Sequence, residues 1–149
     1  MASSIAREAA EWLMAKGEPL WEEEQFAQEV FVPHIAAREL YFAKVNDAAV
    51  GIMILQWEDP LFWPDKPAGE ARFIHRLGVR RKVAKQGVSH ALLEFAKEET
   101  RRCGRRYLRL DTAADRPKLR AVYESNGFTF HSLQQVGRFL VARYELKLF

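Results

Sequence analysis

Leu77-Gly78-Val79-Arg80-Arg81-Lys82-Val83-Ala84-Lys85-Gln86-Gly87-Val88-Ser89-His90-Ala91-Leu92-Leu93 is the stretch that decides the fold of this chain. It opens as the end of an apolar strand running from Phe73 to Val79. It then crosses a basic turn, Arg80 to Lys85, and enters a helix at Gly87. Val88, Ala91, Leu92, Phe95 and Ala96 recur at helical spacing, which turns one stripe of the helix toward a core. A strand feeding a helix through a glycine-containing turn exposes the first helical N–H groups. Those donors and the positive end of the helix dipole form an anion site. Arg72, Arg76, Arg80, Arg81, Lys82 and Lys85 crowd this span, so the expected anion is multiply charged, as a phosphorylated ligand is. A solvated basic face accounts for the same pattern, and both readings stay open at this level. No Gly-Lys-Ser/Thr follows and the glycines are too few for a dinucleotide motif, so a P-loop and a Rossmann fingerprint are both excluded.

Outward from this stretch, 149 residues fit a single domain, 1–149, with a sizeable core. An apolar fraction of 48% excludes a disordered chain. No apolar run approaches the ~20 residues of a membrane span, and the start of the chain has no apolar signal core, so the expectation is a soluble, cytoplasmic protein without membrane contact. The lone Cys103 excludes an internal disulfide framework, and no Cys/His spacing suggests a metal. Charge is unevenly divided. Residues 1–70 hold 5 Lys/Arg against 13 Asp/Glu, a net of −8; residues 71–149 hold 18 against 7, a net of +11. A near-neutral total therefore hides a chain whose first half welcomes cations and whose second half welcomes anions.

Two helices are expected first. Ser4 caps one, with Gly17 as its stop; the other follows Pro19 and is ended or bent by Pro33. Leu40 to Val45 and Ala48 to Trp57 read as a hairpin turning at Asn46-Asp47. A loop rich in proline and aromatics, Asp59 to Asp65, precedes the central strand. After the long helix come a strand from Arg105 to Asp111, a helix capped by Asp115 with Pro117 in its first turn and Asn126-Gly127 at its close, and two strands, Phe128 to Leu133 and Phe139 to Leu148. The β–α–β order in the middle calls for a parallel pair inside a mixed sheet.

These residues carry a family resemblance. Leu77-Gly78-Val79, then Ala84-Lys85-Gln86-Gly87-Val88-Ser89, then Ala91-Leu92-Leu93 resemble the central signature of the GNAT superfamily of acyl-CoA-dependent N-acyltransferases. Leu108-Arg109-Leu110-Asp111, then Arg116, then Tyr123-Glu124-Ser125-Asn126-Gly127-Phe128 resemble its second signature. Together they cover about half the chain, in the family's order. The resemblance implies an α/β (α+β mixed) fold: a mixed central sheet with a splayed parallel strand pair and helices on both faces. It implies acetyl-CoA as co-substrate and no metal. The cofactor-binding residues would be Leu77, Gly78, Val79, Lys82, Lys85, Gln86, Gly87, Val88, Ser89, His90 and Arg116. The pantetheine arm would lie along the strand ending in Leu77-Gly78-Val79, with Gly78 at a bulge that begins the splay. Tyr123 takes the place of the tyrosine that protonates the departing thiolate, and backbone N–H near Val79 would steady the acyl oxygen.

Three departures mark the chain. Ala84 stands where Arg or Gln is usual, Lys85 and Ser89 stand at small positions, and Arg116 replaces an asparagine. The family's usual first strand is absent, so that sheet edge is open or is covered by another segment or a second subunit, a homodimer included. The acceptor amine needs a base. His75 shares a strand face with Phe73, Leu77 and Val79, and its unperturbed pKa near ~6.5 suits neutral pH; Glu70 is the second candidate, and a core histidine is the plain alternative. The function read from the sequence is N-acetylation of a primary amine of a small molecule or peptide, by direct attack in a ternary complex. The alternatives are a basic module binding nucleic acid or acidic surfaces, and a CoA-binding fold without turnover. Trp57, Phe62 and Trp63 beside Asp59 and Asp65, with Trp21, Phe26, Phe31 and Glu22 to Glu24, suggest an aromatic, acidic wall for a cationic acceptor. The competing reading places these aromatics in the core and these carboxylates on the surface.

Overall fold

The structure, a computed structural model of the chain, describes residues 33–79 and 86–149. The two N-terminal helices, the basic turn with Lys82 and Lys85, and the question of a first strand lie outside the described residues.

The strands are β1 (Leu40–Val45), β2 (Ala48–Gln56), β3 (Ala71–Val79), β4 (Tyr107–Ala113), β5 (Thr129–Val136) and β6 (Phe139–Lys147); the helices are α1 (Val88–Arg102) and α2 (Pro117–Ser125). They build a mixed α/β fold on a six-stranded sheet of order β1-β2-β3-β4-β6-β5. β3 and β4 form the expected parallel pair, joined through α1, while β1–β2, β4–β6 and β5–β6 run antiparallel. The parallel register runs from Ala71 opposite Tyr107 to Ile74 opposite Leu110. Both strands continue beyond it, β3 to Val79 and β4 to Ala113. Among the described residues no helix is long and apolar enough to cross a membrane.

The described chain falls into two compact units, residues 33–54, 76–79 and 86–92 in one and 55–75 and 93–149 in the other. In the first unit the hairpin turns on Asn46 and Asp47, whose φ values of 52° and 67° match the twist of the strands it joins. β2 buries Val50, Ile52, Met53 and Ile54. Between them Gly51 leaves room for the first turns of α1. A Cβ there would stand 2.9 Å from Val88 Cγ1 and 3.0 Å from Leu92 Cδ1. A glycine missing from every sequence motif therefore sets how closely the helix start approaches its strand.

The second unit packs Leu93 and Ala96 of α1, Leu108 and Leu110 of β4, Ala142 and Tyr144 of β6, and Tyr123 and Phe128, all buried. Trp63, Ala71 and Phe73 form a further buried cluster with Phe62 and Tyr107 against it. Two buried arginines of this core are paired with carboxylates, as burial of charge favours. Arg109 is 2% exposed and donates to Glu70 (2.7 Å) and Glu145 (2.6 Å). Arg143 donates to Asp65 at 2.7 Å and stacks on Trp63, its guanidinium 4.4 Å from the ring centre.

Two local expectations are corrected. Asp115 does not cap α2; Arg116 is the N-cap residue, with φ −116° and ψ 77°, and no side chain bonds the helix start. The residue before a proline is pushed toward extended backbone, so Pro117 fixes the boundary one residue later than the aspartate suggested. In β3, Gly78 is buried and is not among the glycines of positive φ. Arg76, two residues before it, has the left-handed φ of 50°. Arg72 does not join the basic cluster. It is fully buried, donates to the Leu55 carbonyl at 2.8 Å and lies 3.6 Å over the Trp57 ring.

Candidate active site

In the first unit, β3 ends at Leu77, Gly78 and Val79, with Gly78 buried and its neighbours half-buried. α1 begins beyond Gln86 and Gly87. The Gly87 backbone has φ 84°, a conformation that side-chain-bearing residues adopt only with strain. Its carbonyl accepts the Ala91 N–H at 2.9 Å, so Gly87 is the residue from which the helix starts. The amides of that first turn, through Val88, Ser89 and His90, point out of the helix end as in any α-helix. The first turn itself carries no acidic side chain that would oppose an anion at the helix start. Arg116, the other residue expected at the cofactor, is half-buried at the start of α2.

In the second unit a histidine stands between two carboxylates. His75 is the first β3 residue past the parallel register, and Asp111 the first of β4 past it. His75 Nδ1 lies 3.7 Å from Asp111 Oδ1, and Nε2 lies 2.6 Å from Asp59 Oδ2. The three side chains are 14%, 7% and 4% exposed respectively, so their charges act in a medium less polar than water. Asp59 comes from the loop before β3, and its placement is local chemistry. Its Oδ1 accepts the Phe62 N–H (3.1 Å) and its carbonyl accepts the Trp63 N–H (2.9 Å), the turn that aspartate side chains form with the backbone ahead of them. The Phe62 ring stands 5.6 Å from the imidazole. Asp59, His75 and Asp111 offer ligand atoms within 4.8 Å of one another. One carboxylate lies at each ring nitrogen, however, and the Asp59 contact is a hydrogen bond, which fits proton handling better than chelation.

Tyr123, in the last turn of α2, is 5% exposed. Its ring meets Phe128 edge-on at 6.2 Å and Tyr144 at 6.4 Å. Burial first, and then the charge of Asp111, raise the proton affinity of its hydroxyl well above that of an ordinary phenol. Tyr123 therefore keeps its proton at every physiological pH, and the carboxylate that acts on it is the one that faces His75. Tyr144 is also raised, first by burial, but its hydroxyl is tied between Arg120 (3.0 Å) and Glu124 (2.7 Å).

The other candidates sort by their partners. Glu70 pairs its carboxylate with the buried Arg109. Trp63 is 2% exposed and Asp59 is buried, so these two form no exposed wall, and Asp65 pairs with Arg143. Trp21, Phe26, Phe31 and Glu22 to Glu24 lie outside the described residues. Sequence reasoning placed Asp59 on an acceptor wall and missed its bond to His75. The available signal was the Asp59-Pro60 turn opening a loop that leads straight into the histidine strand.

Residues 6–128 match the model of the "Acetyltransferase (GNAT) family". A Bacillus subtilis protein described as an uncharacterized N-acetyltransferase, YesJ, is 29% identical over 128 residues, which are 81% of this chain and 71% of that protein. Among solved structures, an acetyltransferase of the GNAT family from Listeria monocytogenes superposes with a TM-score of 0.75 at 21% identity, covering 97% of this chain and 86% of its own. A GNAT family acetyltransferase from Elizabethkingia anophelis with acetyl-CoA bound superposes with a TM-score of 0.68 at 17% identity, covering 82% and 84%.

Proposed function

The chain belongs to the acetyltransferase (GNAT) family of acyl-CoA-dependent N-acyltransferases, and on that premise we propose that it transfers an acetyl group from acetyl-CoA to a primary amine of a small molecule or peptide, by direct attack in a ternary complex. The observation that carries this reading is Tyr123. At the position matching the family's thiolate-protonating tyrosine, the phenol is buried and held protonated by burial and by Asp111, the state a proton donor must occupy before the thiolate departs. The N-terminal end of α1, opened by Gly87, receives the pyrophosphate of the cofactor through backbone amides, with Gln86, Val88, Ser89 and His90 around it and Lys82 and Lys85 supplying charge. Leu77, Gly78 and Val79 take the pantetheine arm and Arg116 a second contact with the cofactor. His75 accepts the proton of the attacking amine.

The acceptor is a neutral or cationic amine rather than an anionic amino acid. Two buried carboxylates flank the base, and a like charge brought to that position is repelled strongly where water is scarce. The preference thus rests on the carboxylates at His75 instead of on an aromatic wall. A thiol-release assay with acetyl-CoA and a panel of amines matched in size and varied in charge tests the reading, with calorimetric titration of acetyl-CoA and of mixed-sequence RNA beside it. Thiol release that depends on the amine supports it. Tight acetyl-CoA binding with no release from any amine would establish a binding protein instead, and binding of RNA alone would return the basic-module reading, which has already lost Arg72 to the core.

A further inference from the structure

We propose that Asp59 is a positioning residue for the acyl transfer: with Asp111 opposite, it holds His75 in the tautomer whose Nδ1 lone pair takes the proton of the acceptor amine. The inference rests on the acetyltransferase reading above and assigns work to two residues that reading does not use as acid or base.

Asp59 is fixed before it meets the histidine. Its Oδ1 is committed to the Phe62 amide at 3.1 Å, which leaves Oδ2 to lie 2.6 Å from His75 Nε2. An ionised carboxylate can only accept, so Nε2 carries the hydrogen, and the neutral ring presents its lone pair at Nδ1. Nδ1 faces Asp111 Oδ1 at 3.7 Å. That is too long for a direct hydrogen bond and short enough for the carboxylate to stabilise an imidazolium as it forms. Asp59 faces the ring from the loop, Asp111 from β4, and the Phe62 ring lies beside it. Tyr123 of α2 is coupled to the same cluster through the charge of Asp111. Arg76, the next residue, has the left-handed φ of 50°. Strain of this kind persists only where its surroundings hold it, and it gathers at working sites.

In the transfer, the amine nitrogen forms a bond to the thioester carbonyl carbon while the carbonyl electron pair moves onto oxygen. The nitrogen's proton passes to His75 Nδ1. The carbonyl then re-forms, the C–S bond breaks, and the thiolate takes the Tyr123 proton, leaving amide, free thiol, imidazolium and tyrosinate. Return of one proton from His75 to Tyr123 through solvent restores the enzyme.

The test has two readouts on the full chain. Nitrogen-15 spectra of the histidine rings need no turnover. The wild type should show His75 with hydrogen on Nε2, and Asp59→Asn, whose carboxamide can present either a donor or an acceptor, should show a mixture. A wild-type His75 with hydrogen on Nδ1 overturns the proposal even if Asp59→Asn does not fold. The second readout is the pH profile of kcat/KM. Asp59→Asn should lower kcat by roughly 10²-fold and leave KM for acetyl-CoA unchanged. Loss of one stabilising charge should also move the acidic limb to lower pH. A lower plateau with an unmoved limb would make Asp59 merely structural and overturn the proposal. The expected tautomer in a protein that acetylates no amine would sink the acetyltransferase reading while leaving the clamp on His75 in place.

Discussion

Gly51→Ala adds one methyl group at the point where β2 meets α1. The new Cβ would stand 2.9 Å from Val88 Cγ1 and 3.0 Å from Leu92 Cδ1, both inside ordinary van der Waals distance, and 3.4 Å from Ala43 Cβ, at its lower edge. Leucine can swing its Cδ1 aside, but valine is stiff at χ1 on a helix, so most of the relief must come from Val88 and the first turn of α1 moving outward. Overpacking of this kind costs about 1–3 kcal/mol, and alanine's better strand entropy returns roughly 0.5–1 kcal/mol, leaving a net loss of about 1–2 kcal/mol. For a chain of this size that is a fall of roughly 2–8 °C in Tm. Displacing the helix start should also raise KM for acetyl-CoA with kcat little changed, because Tyr123 and His75 lie in the other unit. Calorimetry and steady-state kinetics on Gly51→Ala, Val88→Ala and the double variant check both statements. Val88→Ala removes the atom at 2.9 Å, so the double variant should be more stable than the sum of the single losses by about 1 kcal/mol, the coupling of residues in contact. Wild-type Tm for Gly51→Ala, or strict additivity in the double variant, would refute the packing argument.

Gly87→Asn tolerates the left-handed backbone, whereas Gly87→Asp adds a negative charge at the same place. We expect Gly87→Asn to stay within about 1 kcal/mol of wild type and Gly87→Asp to bind acetyl-CoA at least roughly 10-fold more weakly, as calorimetric titration will show. Tyr123→Phe should lower kcat by roughly 10²-fold with little change in acetyl-CoA binding; single-turnover thiol release measures it. The Asp65 carboxyl is held below its ordinary value of 3.8 chiefly by its hydrogen bond with Arg143. A lowered folded-state pKa gives stability that is complete above pH 3.8 and is lost as the pH falls from there through the folded value. Asp65 is half exposed, so the effect is small. Asp65→Asn should flatten the acid limb of a urea-midpoint series below pH 3.8 and leave its slope above pH 5 unchanged.

The strands were legible because their signals are local. Alternating or continuous apolar runs with turn residues between them fixed the hairpin at Asn46-Asp47 and the ends of β3 and β6 to within a residue or two. The α2 start was misplaced because a good capping residue, Asp115, sits beside a stronger constraint, the bias that Pro117 imposes on Arg116. The left-handed backbone of Arg76 gave no signal in the sequence, which favours glycine for irregular backbone. Tyr123 and His75 could be proposed from spacing and resemblance. The role of Asp59 could not, because its bond to His75 spans 16 residues and depends on how one loop folds over its own carboxylate. The aromatics of that loop looked like pocket and proved to include core, with Trp63 closed in by Arg143 and Arg109.

Arg109 has a consequence for how the sheet assembles. It alternates along β4 with Leu108 and Leu110, and it pairs with Glu145 of β6 directly opposite. A slip of β4 by two residues along β6 would preserve the alternation, so apolar burial alone discriminates weakly against that error. The slip would, however, carry the guanidinium away from Glu145 and set it opposite Arg143 or Lys147, so that Glu70 alone would remain to balance it and a like charge would face it where water is scarce. The cation thus acts as a register key: it adds little to the depth of the native state and much to the height of its nearest competitor, so that β4 delivers Asp111 to His75 and not to a position one pleat away.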